Sequence, residues 1–507
     1  MSARMYRPAQ VIRASAAALP EGKRVAQGWS AVYVGEGPDG MELSWEGVKL
    51  DLETPDSELL QQDSLESRGR QAASIRPGSA VSSRLRLSVA LDYRDARQVD
   101  VYLLHSGTWI GALDIRYAYV FQPFELVLTA KQTAAVVREG VRLEVRGGLQ
   151  PLWVFDGLGG DEQRLLFTPH LAIGEPDSRV ESALATLLSL HSLQPFGWME
   201  GCVLDGLHCL RPLLGAERVD PVLELHLRQY FDDRGQLLYE DLHGRQADGR
   251  FTTIEATLPV AIIAQLQADH PVIPRAIAFF ESKGLGHGGV VMDDDMVSAE
   301  GCYTVAYPLA VLAARLGRRD MAEQAIAQVL LRRDCLARGP HVYLRYMLRS
   351  QEHTFRSWAR AFAWYCLGLV KTCVELRDSP YSRLPGMAEL ETEIVRVAQI
   401  AVEWRQPDGL WACFLDDAAT GIDTSGSAGI SAALALAAGR GLLPAAYMDI
   451  ARHNLAALAA YLTPDGILAG VAQHNAGGME LQRGGYRVLS QMGLGLWAQL
   501  YAYTQGA

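Results

Sequence analysis

Over residues 1 to about 170 the apolar positions come in short runs, alternating with polar ones or rich in β-branched and aromatic residues. Ala31–Val34, Arg84–Leu91, Val99–Leu104, Tyr117–Phe121, Phe124–Thr129 and Val141–Val145 all read this way. A period of two suits strands half-buried on a sheet. Turn material separates the runs, as in Glu36-Gly37-Pro38-Asp39-Gly40 and Arg146-Gly147-Gly148. The pattern predicts a β-rich, sandwich-like domain over residues 1–170. Residues 51–79, with Pro55, Ser57, Gln61, Gln62, Ser64, Ser67 and Ser74, are polar and predict a long, mobile surface excursion.

From about Asp177 the period lengthens to i, i+3, i+4. About twelve such segments begin near Arg179, Gly197, Asp220, Ile254, Val272, Gly301, Arg319, Phe355, Met387, Ser427, Leu443 and Val488. Twelve helices joined by Gly-, Asp- and Pro-rich loops predict six hairpins in two concentric rings, an (α/α)6 helical barrel over residues 171–507. The fold class is therefore multidomain, α and β. Two similar turns, Gln406-Pro407-Asp408-Gly409-Leu410 and Thr463-Pro464-Asp465-Gly466-Ile467, each follow a helix. They are either ordinary turn chemistry or loops rimming one mouth of the barrel, where a site would lie.

Composition narrows the function. At 49% hydrophobic and 21% charged, the chain has material for a core and is not a disordered one. Its net charge of −11 argues against a general nucleic-acid partner, since phosphate neutralisation needs concentrated Lys and Arg. The longest apolar candidate, Ser431 to Leu443, is broken by Gly439, Arg440 and Gly441, so no membrane span is expected. Met1 to Gly28 intersperses Arg4, Arg7, Arg13, Lys23 and Arg24 and lacks the apolar core of a secretion signal; the expectation is a cytoplasmic protein. Seven widely spaced cysteines with no CxxC suit reduced thiols. No metal or cofactor is expected; a homo-oligomer is left open.

Four groups of residues can carry chemistry. Asp293-Asp294-Asp295 lies between apolar neighbours, so at least one acid should face inward, either with the raised pKa of a general acid or as a helix cap. Glu255 opens an apolar helix, either closing a capping box with Thr252 or facing the aspartate cluster across a cavity, since glycoside hydrolysis asks for two facing carboxylates. His341 leads to Trp358-Ala359-Arg360 and Trp364. Arg360 and Trp364, four apart, share a helix face and offer a guanidinium fork for a carboxylate beside a flat face for a sugar, unless both are structural. Lastly, Asp408-Gly409-Leu410-Trp411 is followed by Thr424, Ser425 and Ser427 ahead of an Ala-rich helix; the hydroxyls either cap it or hold a substrate oxygen.

In this order the segments from about Phe196 onward resemble glycoside hydrolase families 88 and 105, the unsaturated uronyl hydrolases. Trp358-Ala359-Arg360 with Trp364 is similar to the family's W-x-R-G-x-G-W, with Ala361 and Ala363 in place of the glycines. Asp408-Gly409-Leu410-Trp411 with Asp423 to Ala428 is similar to its D-G-L-W … E-T-S-x-S-A block, and Gly485-Tyr486 with Gln491 to Gly495 to its closing pattern. The resemblance implies the same barrel and removal of a terminal unsaturated uronic acid from short acidic oligosaccharides by Asp acid/base catalysis. It places the catalytic acid at Asp294, with Asp293 next, and the second carboxylate at Glu255. His341, Arg360, Trp364 and the Thr424–Ser427 loop would hold the uronate, with Trp358 and Trp411 beside them. The segment between Asp294 and Pro308 is longer than the family's, and the β-rich domain is an addition. An exo-β-glucuronidase on saturated glucuronides, as in glycoside hydrolase family 154, a polysaccharide lyase and a non-catalytic carbohydrate-binding protein are the alternatives.

Overall fold

The computed structural model describes residues 6–45, 81–92, 94–156, 165–241, 244–283 and 287–506. The expected excursion over residues 51–79 lies outside them. The strands of this region are β1 (Tyr6–Pro8), β2 (Gln10–Arg13), β3 (Ala31–Val34), β4 (Met41–Ser44), β5 (Val81–Ser88), β6 (Ala96–Leu103), β7 (Trp109–Arg116), β8 (Pro123–Thr129), β9 (Val141–Arg146), β10 (Leu152–Phe155) and β11 (His170–Ile173), of which β3, β5, β6, β8 and β9 fall on the expected runs and the other six do not. Antiparallel pairing orders them β1-β11-β5-β8 and β2-β4-β9-β6-β7, with β10 and β3 as a separate pair. β9 shows why: Val141, Leu143 and Val145 are buried while Arg142, Glu144 and Arg146 are not.

Two features of this region depart from the strand reading. Helix α1 (Ala130–Glu139) interrupts the strands; Thr129 and Gln132 exchange hydrogen bonds in a capping box that starts it. Tyr117–Phe121 is a turn, not a strand, with Tyr117 at φ 50° and Phe121 at φ 67°. It turns because it docks on the helical part, where the Tyr119 hydroxyl lies 3.0 Å from Ser490 Oγ.

The helices are α2 (Arg179–Leu187), α3 (Trp198–Leu214), α4 (Ala216–Leu227), α5 (Leu258–Leu266), α6 (Val272–Lys283), α7 (Tyr307–Leu316), α8 (Arg319–Leu336), α9 (Ala359–Arg377), α10 (Met387–Glu403), α11 (Thr424–Gly439), α12 (Ala446–Leu458), the short α13 (Gly478–Arg483) and α14 (Gln491–Gln505). Helices α3, α5, α7, α9, α11 and α14 pack in that order and α14 closes on α3, an inner ring of six. Each of α4, α6, α8, α10 and α12 backs the inner helix before it, and α2 backs α14. Burial follows: α5 is buried without a break from Leu258 to Ala264, whereas α10 buries a stripe of Met387, Leu390, Ile394, Val397 and Ala401.

A small sheet stands between α8 and α9. Strands β12 (Met296–Ser298), β13 (Ala337–Arg338), β14 (His341–Met347) and β15 (Glu352–Arg356) form it, with β14 paired to the other three. It corrects the helix start expected near Phe355, which lies in β15; α9 begins only at Ala359. The seven cysteines are all unpaired, with Cys209 and Cys335 only half-buried. Among the described residues no helix is long and apolar enough to cross a membrane.

The β-rich module is pinned to the barrel by a buried ion pair. Arg86 of β5, 2% exposed, grips Asp465, 4% exposed, with Nη2 to Oδ1 at 3.1 Å, and also binds Glu125 at 2.6 Å. Asp465 belongs to the second of the two similar turns. Gly466 beside it must be glycine, because at φ 83° a Cβ would run into the backbone of Ala183. The turn is thus an anchor for the module. His170 and His191 line the same small cavity as this pair, and burial pushes them down to about 4 and about 3.

Asp465→Ala leaves the buried Arg86 with Glu125 alone and strips it of charge-assisted hydrogen bonds, so it should cost about 1.5–3 kcal/mol in denaturant unfolding. A free histidine titrates near ~6.5, so below that pH the unfolded chain binds protons that the folded one refuses at both sites. Stability should therefore fall as pH drops from about 6.5 through 4. Thermal melts across that range should show this slope, flattened in a His191→Asn variant.

Candidate active site

The inner helices bring their N-termini to one mouth. Trp198 opens α3, Glu255 sits in the 3-10 turn Ile254–Thr257 before α5, Glu300 precedes the π-turn Cys302–Ala306 that runs into α7, and Arg360 is the second residue of α9. Unsatisfied N–H groups make such a mouth favourable to anions. Glu255 and Glu300 face one another there, close enough to share a hydrogen bond. Burial, with the negative charge of Glu300 beside it, pushes the Glu255 carboxyl well above the usual range, against the pull of Arg345. Glu300 is 5% exposed, and its Oε2 has no hydrogen-bond partner.

The loop carrying Glu300 is held from below. Arg332 of α8, fully buried, donates to the carbonyls of Ser298 (3.1 Å), Val291 (2.5 Å) and Gln328 (3.2 Å). Its guanidinium occupies the place where a Cβ on Gly301 would stand, which explains a glycine next to the acid. Gly368 of α9 likewise admits the backbone of Cys302. The π-turn between these contacts is the local distortion that helices carry at functional sites.

The aspartate cluster takes a different part from the one expected. Asp293 does face inward: its Oδ2 accepts from the N–H of Ile254 at 3.0 Å, and Lys283 lies 3.4 Å from Oδ1. Burial raises its pKa, but its carboxylate is spent on holding the turn that carries Glu255. Asp294 is exposed at the tip of a tight turn, at φ 51°. Asp295 is half-buried, 3.8 Å from the exposed Arg349. The carboxyl opposite Glu255 is Glu300, and Glu255 makes no capping hydrogen bond with Thr252, because Thr253 is the residue in the cap position and makes none either.

Around the acids stand aromatic rings. Trp364 lies edge-on to Trp198 at 5.4 Å and stacks with Tyr303 at 5.9 Å, and His474 stacks with Trp198 at 6.3 Å. Arg360, 3% exposed, lies over Trp358 at 4.6 Å and Trp198 at 5.9 Å, and donates to the Gln473 carbonyl at 2.5 Å. The expected association of Arg360, Trp358 and Trp364 is present, through Trp198. Gln473 in turn donates to the Arg116 carbonyl at 2.7 Å, so the β-rich module braces this wall.

Other candidates lie in the frame. Trp411 is fully buried and donates to the Ala401 carbonyl at 2.7 Å, which places it in the core. Thr424, Ser425 and Ser427 are fully buried and bonded to Ala469, Asp423 and Trp411; Asp423 is the cap of α11 and these hydroxyls build its first turn. His341 stacks on Trp404 at 5.4 Å and bonds Ser357 at 2.8 Å, with Asp416 3.7 Å away. Among the described residues no group of three or more His, Cys, Asp and Glu side chains gathers to hold a metal ion.

Residues 301–502 match the family model of Glycosyl Hydrolase Family 88. The resemblance to families 88 and 105 is borne out, and the family 88 segment runs from the π-turn through α14. It starts one residue after Glu300, so neither facing acid lies inside it. Solved structures share the fold. A possible family 105 member from Salmonella enterica serovar Paratyphi A is 14% identical with TM-score 0.55, covering 66% of this chain and 97% of its own. A family 105 glycoside hydrolase from C. acetobutylicum is 15% identical with TM-score 0.55, covering 65% and 98%. A polysaccharide lyase is 16% identical with TM-score 0.50, covering 64% and 97%. No curated protein matches. A scaffold shared by hydrolases and a lyase leaves the chemistry to be argued from the site.

Glu300 was legible in one respect. It is a lone carboxylate in the apolar run Val297 to Ala313, and buried acids are rare without a task. Glu300→Gln should abolish turnover, while Asp294→Asn should keep kcat within about threefold of wild type, the range of surface substitutions away from such features. Steady-state kinetics on both variants, with thermal melts to confirm folding, check this.

Proposed function

We propose that this chain removes a terminal unsaturated glucuronyl or galacturonyl residue from short acidic oligosaccharides, with Glu255 and Glu300 as its acid/base pair. The supporting observation is that these two carboxyls face one another at the mouth. Burial and the charge of Glu300 beside it hold the Glu255 carboxyl well above the usual range, which makes it the proton donor. Hydrolysis of a saturated glycoside needs carboxyls about 5–5.5 Å apart to retain configuration, or roughly 6.5–9.5 Å apart to invert it. Glu255 and Glu300 lie near enough for their electrostatics to be coupled, nearer than a pair that flanks a sugar. Such a spacing suits a reaction that happens on one side of a double bond.

In that reaction Glu255 delivers its proton to C4 of the C4=C5 vinyl ether, and positive charge develops at C5 and the ring oxygen. Glu300 receives a proton from the water that attacks C5. The C5 hemiketal opens to a ketone, and the hemiacetal left at C1 releases the alcohol of the next sugar. Trp198 and Trp364 offer apolar faces for the ring. The β-rich segment, read as a sandwich-like domain over residues 1–170 ahead of a catalytic barrel over 171–507, acts through Gln473 as a brace.

The overall charge of −11 repels a polyanion, so capture rests on local cations at the mouth. Short oligosaccharides fit this better than intact acidic polymer. Incubation with lyase-generated oligosaccharides should bleach the ultraviolet absorbance of the C4=C5 bond. Growth of that absorbance on intact polymer would make the chain a lyase, and uronate release from saturated substrates would make it a glucuronidase. Because the reaction needs Glu255 protonated, kcat should fall as pH rises above neutral through its raised pKa. A profile rising with pH would refute this assignment.

A further inference from the structure

The small sheet beside the acids carries three polar groups with no internal task. Ser298 of β12 pairs in register with Arg345 of β14, and Arg345 with Thr354 of β15. Register partners on adjacent strands project to the same face, so the three side chains form a row across the sheet. Ser298 is fully buried. Its Oγ, the Nε of Arg345 and the Oγ1 of Thr354 are all buried without a hydrogen-bond partner. Polar groups hidden from water and left unpaired are costly, and three in one line are a donor set waiting for an acceptor.

Their position identifies the acceptor. Glu300 lies two residues beyond Ser298, and Arg345 acts electrostatically on Glu255. The strand bearing Ser298 is clamped by Arg332, so the row is rigid relative to the acids. Arg360 also keeps an unpaired buried Nε, but it is 3% exposed, lies over two tryptophans and spends Nη2 on the Gln473 carbonyl, whereas Arg345 is half-buried and has two unpaired hydroxyls in its row.

We infer that the row Ser298, Arg345 and Thr354 is the pocket that reads the carboxylate of the uronic acid, and that Arg360 is a positioning residue holding Trp198 and Trp358. The inference rests on the uronyl hydrolase reading of the same site. A carboxylate accepts from the guanidinium and both hydroxyls at once, which the neutral hydroxymethyl group of a hexose does not do. A bound carboxylate also cancels the pull of Arg345 on the Glu255 proton, so the acid stays loaded when substrate is present.

Calorimetry with D-glucuronate and with its methyl ester, on the full-length protein, tests this. Wild type should prefer the acid. Arg345→Ala should lose about 10- to 100-fold in affinity for glucuronate, the effect of a charge-assisted hydrogen bond, and almost none for the ester. Thr354→Val, close to isosteric, should lose roughly fivefold for the acid alone and guards against a folding artefact in the arginine variant. Arg360→Lys should lower affinity for acid and ester alike. If Arg345→Ala keeps the preference for the acid, or if Arg360→Lys alone erases it, the row is not the carboxylate pocket and the uronyl reading survives. If wild type binds neither ligand, that reading falls and the inference falls with it.

Discussion

A carboxyl facing another acid in a buried place resists ionisation, and much of the barrel is organised around keeping Glu255 opposite Glu300. Neither acid is on a free loop. Glu255 rides on a turn whose first N–H is tied to Asp293, and Glu300 sits between a strand clamped by Arg332 and a π-turn seated in the notch at Gly368. The supports, two polar and one steric, reach from different hairpins, so the separation of the acids is fixed by the packing of the ring. A pair positioned this way costs little reorganisation when the reaction begins.

The charges around the pair are sorted by depth. Arg332 lies behind the acids and binds only carbonyl groups and the Gln328 side chain, so it acts as mortar. Arg360 lies among tryptophans and connects, through Gln473, to the β-rich module. Arg345, on the central strand of the small sheet, is the half-exposed one of the three. An acidic protein can thus present a cation to an anionic sugar without an extended basic surface. The module's part is mechanical: Arg86 and Asp465 fix it to one turn, and the turn Tyr117–Phe121 fixes it to another.

The barrel was readable because helices buried against one another write a 3.6-residue period into the chain; α2, α6, α8 and α10 begin at or beside the expected residues. The small sheet was not, because β14 and β15 are short and rich in Arg, His and Tyr, and they lie directly before a true helix. Of the site, Glu255 and the cluster of Arg360, Trp358 and Trp364 were visible as types. The density of acids at 293–295 drew attention from the isolated Glu300. Solvent decides between these: adjacent aspartates at a turn are stabilised by water, whereas one glutamate in an apolar run has no such outlet. The hydroxyls of Thr424, Ser425 and Ser427 read equally well as ligands or as a cap, and only their complete burial separates the two.

The closure of α14 on α3 sets a condition on how this chain is made. The first and last members of the inner ring are neighbours, so every intermediate on the ribosome is an open arc whose flanks, Cys202 and Gly206 on one side and Gly429 on the other, have nothing to rest on until α14 emerges. Contacts of that sequence separation are slow to form, and an open arc offers its flanks to other nascent chains meanwhile. The early β-rich module, complete once β11 has paired with β1 and β5, is then the first surface on which the helices can be collected.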